Sequence, residues 1–159
     1  MGTERLFANE KVPMTWVFNT GGFNGSIDAL IRAVDQATSR GVTSGAELIA
    51  DEAKESFGPA HAKGTPKTVF DKPQSITGNL RRSIRQTGLT TSPSQGVWMA
   101  RVGPTAIYGR RIELGFKGAD SLGRVYNQPK YPYFKPGVDK ALTKLNRVFE
   151  AVWAYAMKV

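Results

Sequence analysis

The chain has 159 residues, of which 40% are hydrophobic and 22% charged, a composition that favours one globular domain over a disordered segment. Because it has no cysteine and a single histidine, disulfides and thiolate metal sites are excluded, and we expect neither a metal nor another cofactor. The net charge of +9 is uneven: residues 1–57 carry 5 basic and 8 acidic side chains (−3), and residues 58–159 carry 17 and 5 (+12).

The N-terminal part predicts a strand followed by a turn. Apolar side chains alternate along residues 11–19, which is typical of a half-buried strand over 12–19. Gly21-Gly-Phe-Asn-Gly25 interrupts this pattern and predicts a flexible turn. Ser26 is a suitable N-cap for a helix that begins at Ile27.

A long helix is predicted over residues 27–57. Apolar and small residues stay on one helical stripe from Ile27 to Phe57. Gly41 could end a first helix, and Ser44-Gly-Ala-Glu47 could cap a second one. Because the stripe does not slip at this point, we favour one continuous helix that is weakened or kinked there.

Residues 58–76 predict a long basic loop, since they combine glycines and prolines with Lys63, Lys67 and Lys72 and show no periodicity. Loops of this length usually bind a partner or become ordered on assembly, although an idle mobile insertion is an equal alternative.

The rest of the chain predicts a hairpin, an irregular stretch and a final helix. The hairpin covers residues 80–102, and residues 105–134 should be irregular. The helix covers residues 136–158, with Pro136 in its first turn. Trp153 and Tyr155 make its last turns apolar nearly all round, so either this domain or a neighbouring protein should bury them. The expected fold is α+β: a small antiparallel sheet of the N-terminal strand and the hairpin, packed against the long helix and the C-terminal helix.

The chain also lacks the marks of a membrane or secreted protein. No apolar run approaches the roughly 20 residues of a membrane-spanning helix, and the first residues do not have the basic-then-apolar layout of a secretion signal. We therefore expect a protein that is made in the cytoplasm and does not contact a membrane.

No catalytic cluster is evident. The glycines at 21–25 lie between a strand and a helix but lack the G-x-G-x-x-G spacing of a dinucleotide site. His61 lies in the basic loop, where a solvated side chain is expected. Four carboxylates could in principle bind magnesium in a nuclease, but they are isolated in sequence. They are Asp71, Glu113, Asp120 and Asp139. We expect the protein not to be an enzyme.

Two arginine clusters are candidate contact sites for phosphates or acidic side chains. The first contains Arg81, Arg82 and Arg85, and at strand spacing Arg81 and Arg85 would share a face with Ser83. The second is Arg110-Arg111. A merely solvated polar face is an equally good interpretation, and no motif for sequence-specific nucleic-acid recognition accompanies the clusters.

Three segments in fixed order resemble one protein family. They are Thr77-Gly-Asn-Leu-Arg-Arg-Ser-Ile84, then Val102-Gly-Pro-Thr-Ala-Ile-Tyr108 with Ile112-Glu-Leu-Gly115, then Tyr131-Pro-Tyr-Phe-Lys-Pro136 before the last helix. The set resembles the head–tail joining, or tail-completion, neck proteins of long-tailed double-stranded-DNA phages, over roughly residues 12–157.

The resemblance implies a structural subunit of a virus particle. Such a protein would form a ring, commonly a hexamer, between head-side connector and tail terminator proteins, and DNA would pass through it. Strong phosphate binding would hinder this transit, so we expect most of the positive charge at protein–protein contacts. The alternative is a basic nucleic-acid-binding module that uses the arginine clusters.

Overall fold

The computed structural model describes residues 21–63, 72–92 and 96–156 and has an α+β fold, as predicted. The predicted strand at 12–19 lies outside these residues. The described strands form two separate two-stranded antiparallel sheets. In chain order the elements are α1 (Gly21–Glu55), α2 (Asn79–Ser83), β1 (Ile84–Ser92), β2 (Val97–Pro104), α3 (Gly109–Leu114), β3 (Phe116–Ala119), β4 (Val125–Gln128) and α4 (Phe134–Ala156).

Helix α1 is continuous over 35 residues, so the prediction of one long helix is confirmed. Its start was predicted wrongly, because the glycines at 21–25 are helical and form its first turns. Ser26 is not an N-cap: its hydroxyl donates to the carbonyl of Gly22, 3.0 Å away, inside the helix. A helical glycine is less favourable than alanine by about 1 kcal/mol, which weakens these turns without forbidding them.

Helices α1 and α4 pack antiparallel at very short range. Phe149 lies against Gly41, Leu145 against Gly45, and Gly137 against Ala53. A Cβ on Gly41 would lie only 2.7 Å from the Phe149 ring, so the glycine leaves room for the aromatic side chain. Gly41 is therefore a packing position within the helix and not its end. Pro136 lies in the first turn of α4, as predicted, and residues 157–158 lie outside the described chain.

The predicted hairpin is confirmed as β1 and β2, in which Ile84 pairs with Pro104 and Thr90 with Met99. The register shifts at Gly88, whose φ of 66° supports a β-bulge. The hairpin runs along α1, and the Trp98 indole N–H donates to Asp35 at 3.0 Å. The start of the predicted hairpin was wrong, because Asn79–Ser83 is a short helix.

Residues 105–134 are more regular than the sequence predicted. They contain α3 and the β3–β4 hairpin, whose register pairs Phe116 with Gln128 and Ala119 with Val125. Gly115 and Gly123 lie in the turns between these short elements, whereas Gly109 begins α3 and Gly118 lies within β3. Glu113 of α3 accepts the backbone N–H groups of Tyr133 and Phe134 at 2.7 and 2.9 Å and so caps α4.

The core is small and centres on Tyr133. Its side chain is fully buried, its ring centroid lies 4.8 Å from that of Phe57, and its hydroxyl donates to the carbonyl of Gly109. Among the described residues, Tyr133 and Ile84 are the largest side chains that are fully buried. Burial raises the pKa of Tyr133 to about 12, with smaller contributions from Glu113 and Tyr108. No helix in the described ranges is long and apolar enough to cross a membrane.

Candidate functional site

The carboxylates considered for metal binding are dispersed and have structural roles. Glu113 caps α4, with a third bond from the Lys135 backbone N–H at 3.0 Å. Asp139 pairs with the Lys135 ammonium at 2.9 Å. Asp71 lies outside the described residues. Within the described parts of the chain, no group of three or more histidine or acidic side chains could hold a metal ion.

Asp120 organises the turn between β3 and β4. Its carboxylate accepts the backbone N–H groups of Leu122 and Arg124, the Arg124 side chain and the Tyr126 hydroxyl. The Arg124 side chain is the main reason why the pKa of Asp120 lies below its usual value, and the backbone bonds and Tyr126 act in the same direction. A carboxylate held in this way stabilises a turn and is poorly suited to proton transfer.

His61 is half-buried rather than solvated, which corrects the prediction. Its backbone N–H donates to the carbonyl of Ser75 at 3.0 Å and so joins the two described limbs of the basic loop. Its Nδ1 atom is buried and has no hydrogen-bond partner among the described residues. A general base needs a hydrogen-bond partner that fixes the orientation of its imidazole ring, and none of the described residues does this for His61.

The first arginine cluster does not form a strand face, because Arg81 and Arg82 belong to α2 and only Arg85 lies on β1. The Arg82 guanidinium donates to the carbonyl of Thr77 and to the Asn79 side chain, both at 2.8 Å. Arg85 borders a separate hollow beside α1 that also contains Glu47 and Asp51. The structure therefore brings Arg81 and Arg82 together and separates Arg85 from them.

Arg81 and Arg82 border an open groove of about 790 Å³ at the C-terminal end of α1. Lys54 lies on the same groove, and Phe57, Ala60 and Ile76 provide its apolar lining. A groove that combines apolar walls with cationic borders suits an apolar segment that carries a negative charge.

The remaining predicted basic residues that the structure describes are exposed and do not line this groove. Arg110 and Arg111 are exposed on α3, and the Arg111 guanidinium carbon stacks 4.4 Å from the centroid of the Phe116 ring. Lys63 and Lys72 are exposed, and Lys67 lies outside the described residues. We call residues 57–63, 72–83 and 105–130 the basic end; they carry nine lysines and arginines against two acidic residues, a balance of +7.

The opposite end of the molecule is formed by the start of α1, the end of α4 and the tip of the first hairpin. We call residues 21–35, 96–99 and 151–156 the apolar end; they carry one arginine and two aspartates, a balance of −1. Trp153 is half-buried here, and Tyr155 is 72% exposed beside an apolar hollow of about 310 Å³. The described residues therefore do not bury the last turns of α4 completely.

The sequence did not reveal that the first turns of α1 expose large apolar side chains among the described residues. Phe23 is 68% exposed and Ile31 60% exposed, with Ile27, Leu30 and Val34 also open to solvent. The stripe pattern had indicated core positions for four of these residues. The signal that could have exposed the error is helix length: α1 has 35 residues and α4 only 23, so α4 cannot cover it.

A scan against protein-family models finds no match, and searches of curated proteins and of solved structures also find none. The function of the two ends must therefore be inferred from the residues that they expose. What the described residues present is two apolar surfaces of different charge at opposite ends of one long helix. Such surfaces are suited to adhesion.

Proposed function

We propose that the protein is a structural subunit of the neck of a tailed phage, where copies of it form a ring between head-side connector and tail terminator proteins. The observation that carries the proposal is the contrast between a small core and large exposed apolar side chains at both ends. Exposed apolar patches mark interaction surfaces in soluble proteins. The apolar end exposes Phe23, Ile27, Leu30, Ile31, Val34, Val97, Met99 and Tyr155, and the basic end exposes Ile76, Ile107, Tyr108, Leu114, Leu122 and Val125.

The three motif segments support the proposal because they meet in space. Leu80 and Ile84 from the first segment pack with Tyr133 from the third in the core. Val102 of the second segment packs against the same cluster, and Glu113 of the second segment caps α4. Residues that jointly build one core are those a family must keep to maintain its fold, so the resemblance rests on structurally connected positions.

The charge distribution also suits a neck subunit. A ring around DNA must let the duplex pass, and many phosphate contacts would bind it strongly. Two of the arginines already have intramolecular partners. Arg82 donates hydrogen bonds to two oxygen atoms, and Arg111 stacks on an aromatic ring. We therefore assign most of the basic end to contacts with acidic or apolar protein surfaces, with at most non-specific contact to passing DNA.

Particle composition tests this function. We expect the protein in purified virions, at the junction of head and tail, in a fixed multiple per particle. Deletion of its gene should yield separate filled heads and free tails, and expression in trans should restore joined, infectious particles. Virions that lack the protein, or a deletion that still gives joined infectious particles, would refute the proposal.

A nucleic-acid-binding module is the second candidate, and the +7 balance of the basic end favours it. It predicts duplex-DNA affinity that falls steeply with salt, with a slope that flattens when Arg81 and Arg110 are replaced by glutamine. The matched control is Arg40→Gln, because Arg40 lies on α1 beside the apolar end. Binding that is absent, or equally weakened by the control, would remove this candidate.

A further inference from the structure

The uncovered face of α1 continues the face that α4 covers. From Gly45 back to Ala37, small residues on this face pack against α4, and Ala33 lies beside its last turn, which ends at Ala156. The same side of the helix continues for roughly three more turns with Val34, Ile31, Ile27 and Phe23. These four side chains are between 36% and 68% exposed, so a partner could bury more of their apolar surface.

The groove at the basic end has an apolar lining that could receive the apolar side chains of the first turns of α1. An amphipathic helix binds by placing residues at i, i+4 and i+7 into an apolar groove, and Phe23, Ile27 and Leu30 have this spacing. Phe57 and Ile76 line the groove, whose volume of about 790 Å³ lies in the range of pockets that bury a ligand. Apolar contact is therefore available on both surfaces.

The exposed turns carry one acidic side chain, Asp28, and one basic side chain, Arg32. Asp28 can pair with the basic border of the groove, whereas Arg32 must point to solvent in the contact. Asp28 follows Ile27 directly on the exposed helix and has no ion-pair partner among the described residues. Lys54, Arg81 and Arg82 border the groove. Opposite charges at the rim of an apolar contact set its orientation and its specificity.

The two surfaces lie at opposite ends of a helix that is about 50 Å long, so one copy cannot bring them together. We propose that the first three turns of α1 in one copy insert into the groove of Lys54, Phe57, Ile76 and Arg81 in the next copy. The inference rests on the proposed ring, for which it names the contact. Such a contact is heterologous, and repetition closes it into a ring when the rotation between copies permits.

Cysteine cross-linking tests the contact directly, because the natural chain has no cysteine. Single variants Ile27→Cys and Ile76→Cys are mixed and treated with a short bismaleimide. The proposal predicts a covalent dimer in the mixture and none with either variant alone. A dimer from Ile27→Cys alone would show pairing of two α1 faces and overturn it. An intrachain link in a Trp16→Cys, Ile27→Cys variant would show that the chain's own N-terminal segment covers the face, and would also overturn it.

Substitution measures how much the contact contributes to assembly. Ile27→Asp should weaken self-association by about 10- to 100-fold, the range expected for losing one buried aliphatic side chain. Leu142→Asp is the matched control, since Leu142 is an exposed apolar residue of α4 outside both surfaces. Equal weakening by both variants, measured by sedimentation, would overturn the proposal.

A charge exchange separates this contact from a merely sticky surface. Asp28→Lys should weaken association, Arg81→Glu should weaken it likewise, and a chain with both changes should recover most of the affinity. Rings that persist in the Ile27→Asp variant would refute the contact while the neck function stands. Particles without the protein would refute the function itself.

Discussion

The two parts of helix α1 differ in the size of the residues on one continuous face. Where α4 packs on it, the face is built from Ala37, Gly41, Gly45 and Ala53, which let the helix backbones approach closely. Beyond the end of α4, the same face carries phenylalanine, isoleucine, leucine and valine, with Phe23 68% exposed. Residue size therefore distinguishes the part of this face that α4 buries from the part that stays exposed among the described residues.

The difference has an energetic consequence. Burying a large aliphatic side chain completely contributes about 1.5–3 kcal/mol, and the exposed side chains of the first turns contribute only part of this to the isolated chain. These turns also contain Gly22 and Gly25, which lower helix propensity. The subunit's own stability should come from the covered part and from the core around Tyr133, whereas the uncovered part should matter for assembly.

The largest expected effect comes from enlarging a residue in the covered part. A Cβ on Gly137 would overlap the backbone of Glu52 and Ala53, so Gly137→Val must push the helices apart. We expect it to lower the free energy of unfolding by at least about 3 kcal/mol, measured by urea denaturation. Gly25→Ala, in the uncovered part, is the control: nothing lies within 4 Å, so stability should hold or rise. Similar losses from both would abolish the distinction between the two parts.

A smaller loss should follow removal of the cap on α4. Glu113→Ala leaves the first backbone N–H groups of the helix without their acceptor, and we expect a loss of about 2 kcal/mol in the free energy of unfolding. Glu113→Gln keeps one acceptor oxygen and should lose less. Glu150→Ala, on an exposed position of α4, should change nothing measurable. A neutral Glu113→Ala would contradict the capping role.

Tyr133→Phe should have a smaller effect that depends on pH. The hydroxyl bond to Gly109 is worth about 1 kcal/mol near neutral pH. Since the pKa of Tyr133 is raised to about 12 in the folded protein, its contribution is complete below about pH 10 and is lost as pH rises towards 12. The variant should therefore lose less stability than the natural chain over this range. The exposed Tyr155→Phe should follow the natural curve, and identical curves for all three proteins would contradict the assignment.

The smallest effect is expected at the uncovered end. Ile31 is 60% exposed, so Ile31→Ser should change the free energy of unfolding of the dilute subunit by no more than about 0.5 kcal/mol. Ala53→Ser, on a fully buried position of the same helix, provides the contrast and should lose more, since it buries a hydroxyl. A large loss from Ile31→Ser would mean that this face is covered within the chain.

Patterns that span many residues predicted the fold well. The stripe from Ile27 to Phe57 indicated one helix despite Gly41, because periodicity over several turns outweighs one local stop signal. The hairpin and the final helix were also predictable, since alternation and a proline in the first turn are strong signals. The α+β class followed from these elements together.

Short elements and contacts between distant residues could not be predicted. The glycines at 21–25 were interpreted as a turn, although helical glycine is unfavourable by only about 1 kcal/mol per residue. Residues 80–83 were assigned to the hairpin but belong to the short helix α2, and the strand face of Arg81 and Arg85 depended on that assignment. The cap from Glu113 to α4 joins residues about twenty positions apart, and no local pattern indicates it.

Hydrogen exchange tests the central claim most directly, that the uncovered face of α1 is kept for a neighbouring copy. Exchange would be measured for amides 21–34 and 37–53 in dilute subunits and in assembled particles. We predict that protection of residues 21–34 rises at least about tenfold on assembly while residues 37–53 change little. Equal protection of residues 21–34 in both states would contradict the account.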